Sequence, residues 1–442
     1  MSLPNYSDYQ ESGLDWLGEI PKAWTLKRLG HFFNERREKV SDKDFQPLSV
    51  TKLGIVPRLE TAAKTQDGDN RKRVVAGDYV INSRSDRKGS SGLSEFDGSV
   101  SLICIVLEPT EIEGRFAHHL FRSEVFQEEF YRNGKGIVAD LWSTGFSEMK
   151  SIAIPVPSRP EQTQIARFLD HETAKIDALI REQERLIALL QEKRQAVISH
   201  AVTKGLDPNV PMKDSGVEWL GEVPAHWIMT RAKIVADVFV PQRNKPDLND
   251  SGAGYYWVTM EDMKTGQIKS TRHCVSEAAL SEAGSKVLKK GAVIASCVGN
   301  FGVASLLCVD AVINQQLQAY IPKRVSGRYL RDLITCSKTY FDLVGTAATL
   351  VYVNQEGFAN LPVPLPPEHE QQAIEFHVEK SKIMFDRALM ESRKLIAILQ
   401  ERRSALISAA VTGKIDVRNW QPPADESAFG ESVHQAGMET TA

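Results

Sequence analysis

The chain of 442 residues contains only five cysteines, Cys104, Cys274, Cys297, Cys308 and Cys336. They are scattered, odd in number and form no CxxC pair. That argues against a structural zinc site and for a reduced, cytoplasmic setting. Long apolar runs are missing too. The longest, Leu102–Leu107, is far below the roughly 20 residues that a spanning helix needs. The start, Met1–Gly13, is polar and lacks the basic opening and apolar centre of a secretory signal. Catalytic signatures are equally scarce. No GxxxxGK[ST] phosphate loop occurs, since Gly413-Lys414 is followed by Ile415, and no HExxH zinc motif occurs. A methyltransferase acting on an amino group would need a glycine-rich cofactor loop and an Asn/Asp-Pro-Pro-aromatic element; the chain has neither. His118-His119 are adjacent, so on a helix they point apart and suit surface or capping roles better than a metal.

What remains is an ordinary soluble composition, 42% hydrophobic and 25% charged, long enough for two to four domains at roughly 100–200 residues each. The net charge is −3. The tail Gln421–Ala442 holds Asp425, Glu426, Glu431 and Glu439 and no lysine or arginine, so the remainder is slightly basic. Within it, Lys52–Lys88 carries nine basic against five acidic residues. A balanced total is compatible with a basic face.

The chain repeats itself. Gly13-Leu14-Asp15-Trp16-Leu17-Gly18-Glu19-Ile20-Pro21, followed by Trp24, returns as Gly216-Val217-Glu218-Trp219-Leu220-Gly221-Glu222-Val223-Pro224, followed by Trp227. LIALLQEKRQAVISHAVTKG (186–205) returns as LIAILQERRSALISAAVTGK (395–414), identical at 13 of 20 positions at an offset of 209. The same offset aligns Pro155-Val156-Pro157 with Pro364-Leu365-Pro366, Glu161-Gln162 with Glu370-Gln371, and Asp177 with Asp386. Between these anchors the halves diverge. Each unit is a divergent block followed by a similar one, a pattern that suits a fixed scaffold carrying two different reading heads.

The similar blocks read as long helices. Residues 161–202 contain no glycine or proline after the Pro155, Pro157 and Pro160 entry, and Gly205 and Gly413 supply the stops. Leu169, Ile176, Leu190 and Val197 recur at seven or fourteen, with Leu179 and Leu186 three residues after the first row and Gln183 as the polar interruption. The second block repeats this with Val378, Phe385, Leu399 and Leu406, flanked by Ala388 and Leu395, and Ser392 in place of Gln183. One seam needs a partner, so the two helices are expected to pack on each other, antiparallel, with a pseudo-twofold axis. The divergent blocks read as mixed α/β modules: β-like runs at Val100–Leu107 and Ala292–Ser296, helix-like stretches at Phe116–Phe130 and Arg328–Val344.

Two leads toward chemistry stand out. Pro246-Asp247 with Asp262-Met263-Lys264 fits the loose PD…(D/E)xK pattern of Mg²⁺-dependent nucleases, but it is short and has no counterpart in the first half. Basic clusters are the better lead: Arg71, Lys72, Arg73, Arg84, Arg87 and Lys88 in the first block, and Arg243, Asn244, Lys245, Arg272 and Asn300 in the second. Such side chains pair with base edges and neutralise phosphates.

Taken together, GLDWLGEIPKAW and GVEWLGEVPAHW opening each half, IPVPSRPEQTQIARFLD and VPLPPEHEQQAIEFHVE entering the helices, and the duplicated helix ends resemble the specificity subunit of type I restriction-modification systems. The resemblance covers almost the whole chain. It implies two α/β target recognition domains (1–153 and 207–362), two helical spacer regions (154–206 and 363–418) and an acidic, disordered tail (419–442). It implies a non-catalytic subunit that binds double-stranded DNA at a bipartite asymmetric site. It also implies partners: two modification subunits that carry S-adenosylmethionine and methylate adenine, and restriction subunits that use ATP and Mg²⁺. The other readings of the residues are a stand-alone nuclease using Asp247, Asp262 and Lys264, and a coiled-coil adaptor that binds only proteins.

If antiparallel helices hold two reading heads apart, helix length sets the gap between half-sites. Four residues inserted beside Gln183-Glu184 add roughly 6 Å of helix, and a DNA step is about 3.4 Å. The unread spacer is expected to lengthen by one or two base pairs with both half-sites kept. Seven residues preserve the seam but add about 10 Å, rotating one head by about 100° around DNA of 10–10.5 base pairs per turn, and are expected to be tolerated less well. The methylated motif of each variant checks this; an unchanged spacer in an active four-residue variant refutes it.

Overall fold

The computed structural model describes residues 3–58, 68–136, 142–250, 252–346 and 351–423. The expected disordered tail lies outside the described residues from 424 on. The chain divides into two compact units that do not follow the linear blocks: Met1–Gln183 with Lys394–Ala442, and Glu184–Arg393. The cause is the pair of long helices, each of which contributes one half to each unit.

In the first unit the divergent block is entered and left through one antiparallel ladder. Strand β1 (Thr25–Arg28) pairs with the block's last strand, Ala153–Val156, in the register Thr25↔Val156 to Arg28↔Ala153. Between them run β2 (Phe33–Glu35), β3 (Arg71–Val74), β4 (Tyr79–Asn82), β5 (Ser91–Leu93), β6 (Gly98–Ser101) and β7 (Cys104–Pro109), with β8 closing the neck at Ala153–Val156. The main sheet is antiparallel in the order β5-β4-β7-β2. A second sheet joins β6, β3 and the short strand Lys39–Val40. Helix α1 (Gly114–Arg122) packs on the main sheet. Alternation along the strands buries Tyr79, Ile81, Ile105 and Leu107 against α1, and turns Val80, Cys104 and Val106 toward Val74 and Val100. A sheet covered on both faces needs apolar residues at successive positions, which is why Cys104–Leu107 reads as an unbroken apolar run.

Helix α2 (Arg159–Lys204) follows. The second unit repeats the plan with β9 (Ile228–Arg231), β10 (Ala236–Phe239), β11 (Val293–Ser296), β12 (Ala304–Leu307), β13 (Ala311–Ile313), β14 (Leu317–Pro322), α3 (Gly327–Cys336) and β15 (Pro362–Leu365), before α4 (Glu368–Val411). Its neck is β9 with β15, Ile228↔Leu365 to Arg231↔Pro362. Its sheet runs β10-β14-β11-β12, extended by Gln267–Ile268.

The duplicated motifs sit at the ends of the long helices. In the first unit Trp24 is buried and its indole N–H donates to Glu161 at 3.0 Å. In the second, Trp227 donates to Glu370 at 2.9 Å. The neighbouring glutamines act alike: Gln162 accepts from the backbone N–H of Glu113 ahead of α1 (2.8 Å), and Gln371 from that of Ser326 ahead of α3 (2.9 Å). Gly413, at φ +75, lies against Pro21 and Trp24, where a Cβ would fall 2.3 Å from Pro21. Gly205, at φ +77, sits against Trp227.

Within each unit the helix halves are antiparallel. In the first, Gln164 donates to the carbonyls of Val417 and Trp420, while Arg403 pairs with Asp177 at 2.9 Å. In the second, Arg194 pairs with Asp386 at 3.3 Å. At the offset of 209 this is the same ion pair. Trp420, inside the segment expected to be a free tail, packs on Phe168 with ring centroids 5.2 Å apart.

The seam confirms one expected row and corrects the other. Leu169, Ile176, Val378, Phe385 and Leu399 are buried, and Leu190, Val197 and Leu406 half-buried. Leu179, Leu186 and Leu395 are instead exposed, at 53%, 40% and 41%. The second row lies four residues after the first, at Ile180, Ile187, Leu389 and Ile396 rather than Leu179, Leu186, Ala388 and Leu395. Heptad packing alternates steps of three and four, and adjacent pairs such as Leu179-Ile180 and Leu186-Ile187 satisfy either phase. Leu389→Ala is therefore expected to lower stability by about 2–5 kcal/mol, and Leu179→Ala or Leu395→Ala by less than about 1 kcal/mol. Urea unfolding checks this; equal losses at Leu389 and Leu395 would place Leu395 back in the seam.

Candidate nucleic-acid interface

In the first unit the basic cluster on β3 divides by strand alternation. Arg71 is buried, its guanidinium donating to the hydroxyl and carbonyl of Ser99 (2.8 and 2.9 Å), and burial lowers its pKa. Lys72, on the opposite face, donates to Glu35 (3.2 Å) and to the Cys104 carbonyl (2.8 Å). Arg73 pairs with Glu38 at 3.0 Å and stacks over Phe45. All three, expected as DNA contacts, are engaged within the protein. In the following segment, Arg87 lies beside Asp86 and Lys88 pairs with Glu128. Arg84 is exposed, its backbone N–H held by the Asn82 side chain at 3.2 Å.

Arg84 belongs to a surface that the sequence pattern only partly marks. Three clefts, of about 150, 340 and 370 Å³, meet at the turn Leu102–Ile103 between β6 and β7. Their cationic lining residues are Arg37, Lys39, Arg58, Arg71, Lys72 and Arg84, and the one carboxylate among the lining residues is Glu35. Glu35 is held by Lys72 and by Arg37 at 2.7 Å. The Cys104 thiol under the turn is pushed up to about 12 by burial. The excess of basic residues over Lys52–Lys88 is the available signal for this surface. Arg37 and Lys39 lie outside that window, and Leu102–Ile103 are concealed in an apolar run that reads as one strand.

In the second unit the segment Gln242–Lys245 is exposed, and its carbonyls at Gln242 and Arg243 accept from the Gln315 side chain at 3.1 and 3.3 Å. Arg243, Asn244 and Lys245 are thus brought to the turn between β13 and β14. Arg272 is exposed on the segment leading to the strand Cys274–Val275. Asn300 lines a different cavity, of about 570 Å³, with Lys264, Arg194 and Arg331. Of the nuclease pattern, the Asp262 carboxylate accepts from the backbone N–H and hydroxyl of Thr259 (2.8 and 2.9 Å), capping the turn Met260–Thr265. Among the described residues no group of three or more His, Cys, Asp or Glu side chains could hold a metal, and no helix is long and apolar enough to cross a membrane.

The family model described as "Type I restriction modification DNA specificity domain" matches residues 21–188 and 235–376. The chain belongs to this family. Full-length relatives agree. It is 24% identical to the type I restriction enzyme MjaVIII specificity subunit of Methanocaldococcus jannaschii, over 90% of this chain and 95% of that one. It is 22% identical to the EcoDI specificity subunit of Escherichia coli, over 96% and 95%. Among solved structures it is similar to a chain from a study of type I R-M complex assembly (TM-score 0.67, 18% identity, 90% and 99% covered) and to the HsdS subunit of Thermoanaerobacter tengcongensis (TM-score 0.54, 18% identity, 92% and 100% covered). The two family matches each span a divergent block and run into a long helix, so both basic surfaces described above lie on family domains.

Arg84→Ala, with Arg58→Ala, is expected to weaken DNA binding and flatten its salt dependence by about one unit of slope for each phosphate no longer neutralised. Arg71→Ala is expected to act through stability, by about 1–3 kcal/mol for the buried Ser99 carbonyl that loses its donor. Binding titrations at several salt concentrations, with thermal melts, separate the two. An unchanged affinity and salt slope in the Arg58/Arg84 double variant would remove these clefts from the interface.

Proposed function

We propose that this chain is the DNA-recognition subunit of a type I restriction-modification complex. Each divergent block reads one half of a bipartite asymmetric site and directs adenine methylation and restriction by partner subunits. The observation that carries this is the identical neck in both units: each divergent block is held by a two-strand ladder in the same register, β1 with β8 and β9 with β15, above the same tryptophan–glutamate and glutamine anchors. A fixed frame holds two heads whose surfaces differ, which is what a two-part target requires.

In this reading the chain does no chemistry itself. S-adenosylmethionine is carried by two modification subunits, and ATP and Mg²⁺ serve the restriction subunits. Exposed apolar side chains on the long helices support docking of such partners. Phe376, Ile383, Met384 and Met390 stand exposed in the second unit, and Leu179, Leu395 and Ile398 in the first. Solvent-facing aliphatic groups at this density on a soluble helix mark a contact surface.

The test exchanges residues 28–150 for the block of a relative. Both cut points fall at the Arg28↔Ala153 end of the neck ladder, so the frame stays intact. The expected result is a methylated motif altered in one half only. A motif altered in both halves, or unaltered, overturns the modular reading.

A further inference from the structure

The two sheets can be compared strand by strand. Asn82↔Cys104 and Tyr79↔Leu107 in the first unit match Ser296↔Leu317 and Val293↔Tyr320 in the second. At the other edge, Phe33↔Pro109 matches Ala236↔Pro322. In this register the turn Leu102–Ile103 before β7 is equivalent to Gln315–Gln316 before β14. Resting on the DNA-recognition reading, we infer that these two turns are the base-reading tips. Leu102–Ile103 meets a thymine C5 methyl group, and Gln316 pairs with an adenine, both in the major groove.

The residues at the first turn are the wrong ones for a turn. Tight turns favour glycine, asparagine, aspartate and serine. Here two large aliphatic residues stand 38% exposed where three clefts meet, with Arg37, Lys39, Arg58 and Arg84 exposed among their lining residues. A local rule broken without local gain points to function. An apolar tip ringed by arginine and lysine matches one kind of partner surface: phosphate walls around an apolar floor. In the major groove that floor is the thymine methyl, the apolar group by which T·A is told from the other pairs.

The second turn has the complementary chemistry. Gln315 ties it to the Gln242–Lys245 segment, and the Asn314 side chain accepts from the backbone N–H of Gln316 at 3.1 Å. Both contacts hold the turn, and the Asn314 amide also donates to the Gln316 side-chain oxygen at 3.4 Å, which orients the exposed Gln316 amide. A glutamine amide donates to adenine N7 and accepts from its N6 amino group. One backbone position thus carries apolar readout in one unit and amide readout in the other.

The test uses the complete modification complex once its methylated motif is known. Each thymine of the half-site read by the first unit is replaced in turn by 2′-deoxyuridine, which lacks only the methyl. Each adenine of the other half-site is replaced by 7-deazaadenine, which lacks N7. In the unaltered protein one deoxyuridine is expected to weaken binding roughly three- to tenfold, and one 7-deazaadenine on the order of tenfold. Leu102→Ser with Ile103→Ser should abolish the first penalty and keep the second; Gln316→Ala should do the reverse, so each variant reports on the folding of the other head. A flat scan, a half-site without a T·A pair, or penalties that persist in both variants overturn the tip assignment while motif-specific binding keeps the recognition reading. Absence of any motif-specific binding by the unaltered complex overturns the recognition reading itself.

Discussion

A buried indole bonded to a half-buried carboxylate fixes the rest of this molecule. Glu161 at the head of α2 accepts from Trp24, and also from the Tyr6 hydroxyl at 2.8 Å. Glu370 at the head of α4 accepts from Trp227 and lies 2.6 Å from His226. A buried indole N–H is costly unless an acceptor fills it, so the tryptophan segment is held to the helix start. The opposite end of the other helix then closes on the same tryptophan, at Gly413 in one unit and Gly205 in the other, where only a residue without Cβ fits the left-handed turn and the close approach. Three segments distant in sequence therefore meet at one point in each unit, and the long helices are committed to running antiparallel.

That constraint explains which parts of the sequence repeat and which do not. The Trp–Glu bond, the clamping glutamines and the Asp177–Arg403 and Asp386–Arg194 pairs use residues that match between the halves, while the neck ladders match in backbone register. The turns before β7 and β14 touch none of these groups, so their side chains change without disturbing the frame. Affinity for a polyanion and choice of base are accordingly separable, since the cations lie on strands and cleft rims while the base-facing groups lie on the turns.

The duplicated anchors and the heptad stretch are legible in the sequence because both are carried by local identity and period, and both long helices occur where that period lies. The phase of the second seam row is not. Leu179-Ile180 and Leu186-Ile187 are equally apolar, and only packing against the antiparallel partner selects the isoleucines. The recognition surface is half legible. Arg84 and the segment Arg243–Lys245 stand out by charge, but charge alone does not separate Arg71, turned inward onto Ser99, from Arg58 and Lys39 on the cleft rims. The Leu102–Ile103 turn is hidden for a different reason: in a sheet buried on both faces, a strand and an exposed aliphatic tip have the same composition.

The junction between head and helix shows that the frame is not wholly indifferent to the head it carries. In the first unit His119 of α1 lies 2.8 Å from Asp170 of α2, which Arg115 also reaches at 3.0 Å. Burial opposes the charge on Asp170, but these two partners outweigh it and hold its pKa below the usual carboxylate value. The equivalent place in the second unit holds Arg331 and Asp332 of α3, paired at 2.8 Å and nearly buried, with Lys382 of α4 reaching Asp332 at 2.6 Å. Where the second unit has Lys382, the first has Thr173. A head moved from the second frame to the first would leave Asp332 facing Thr173, with Arg331 still paired but without its lysine. Heads are therefore interchangeable within one frame position, where the helix partner of the junction is kept, and resisted across the two positions. The duplication thus leaves two sockets of similar backbone and different charge.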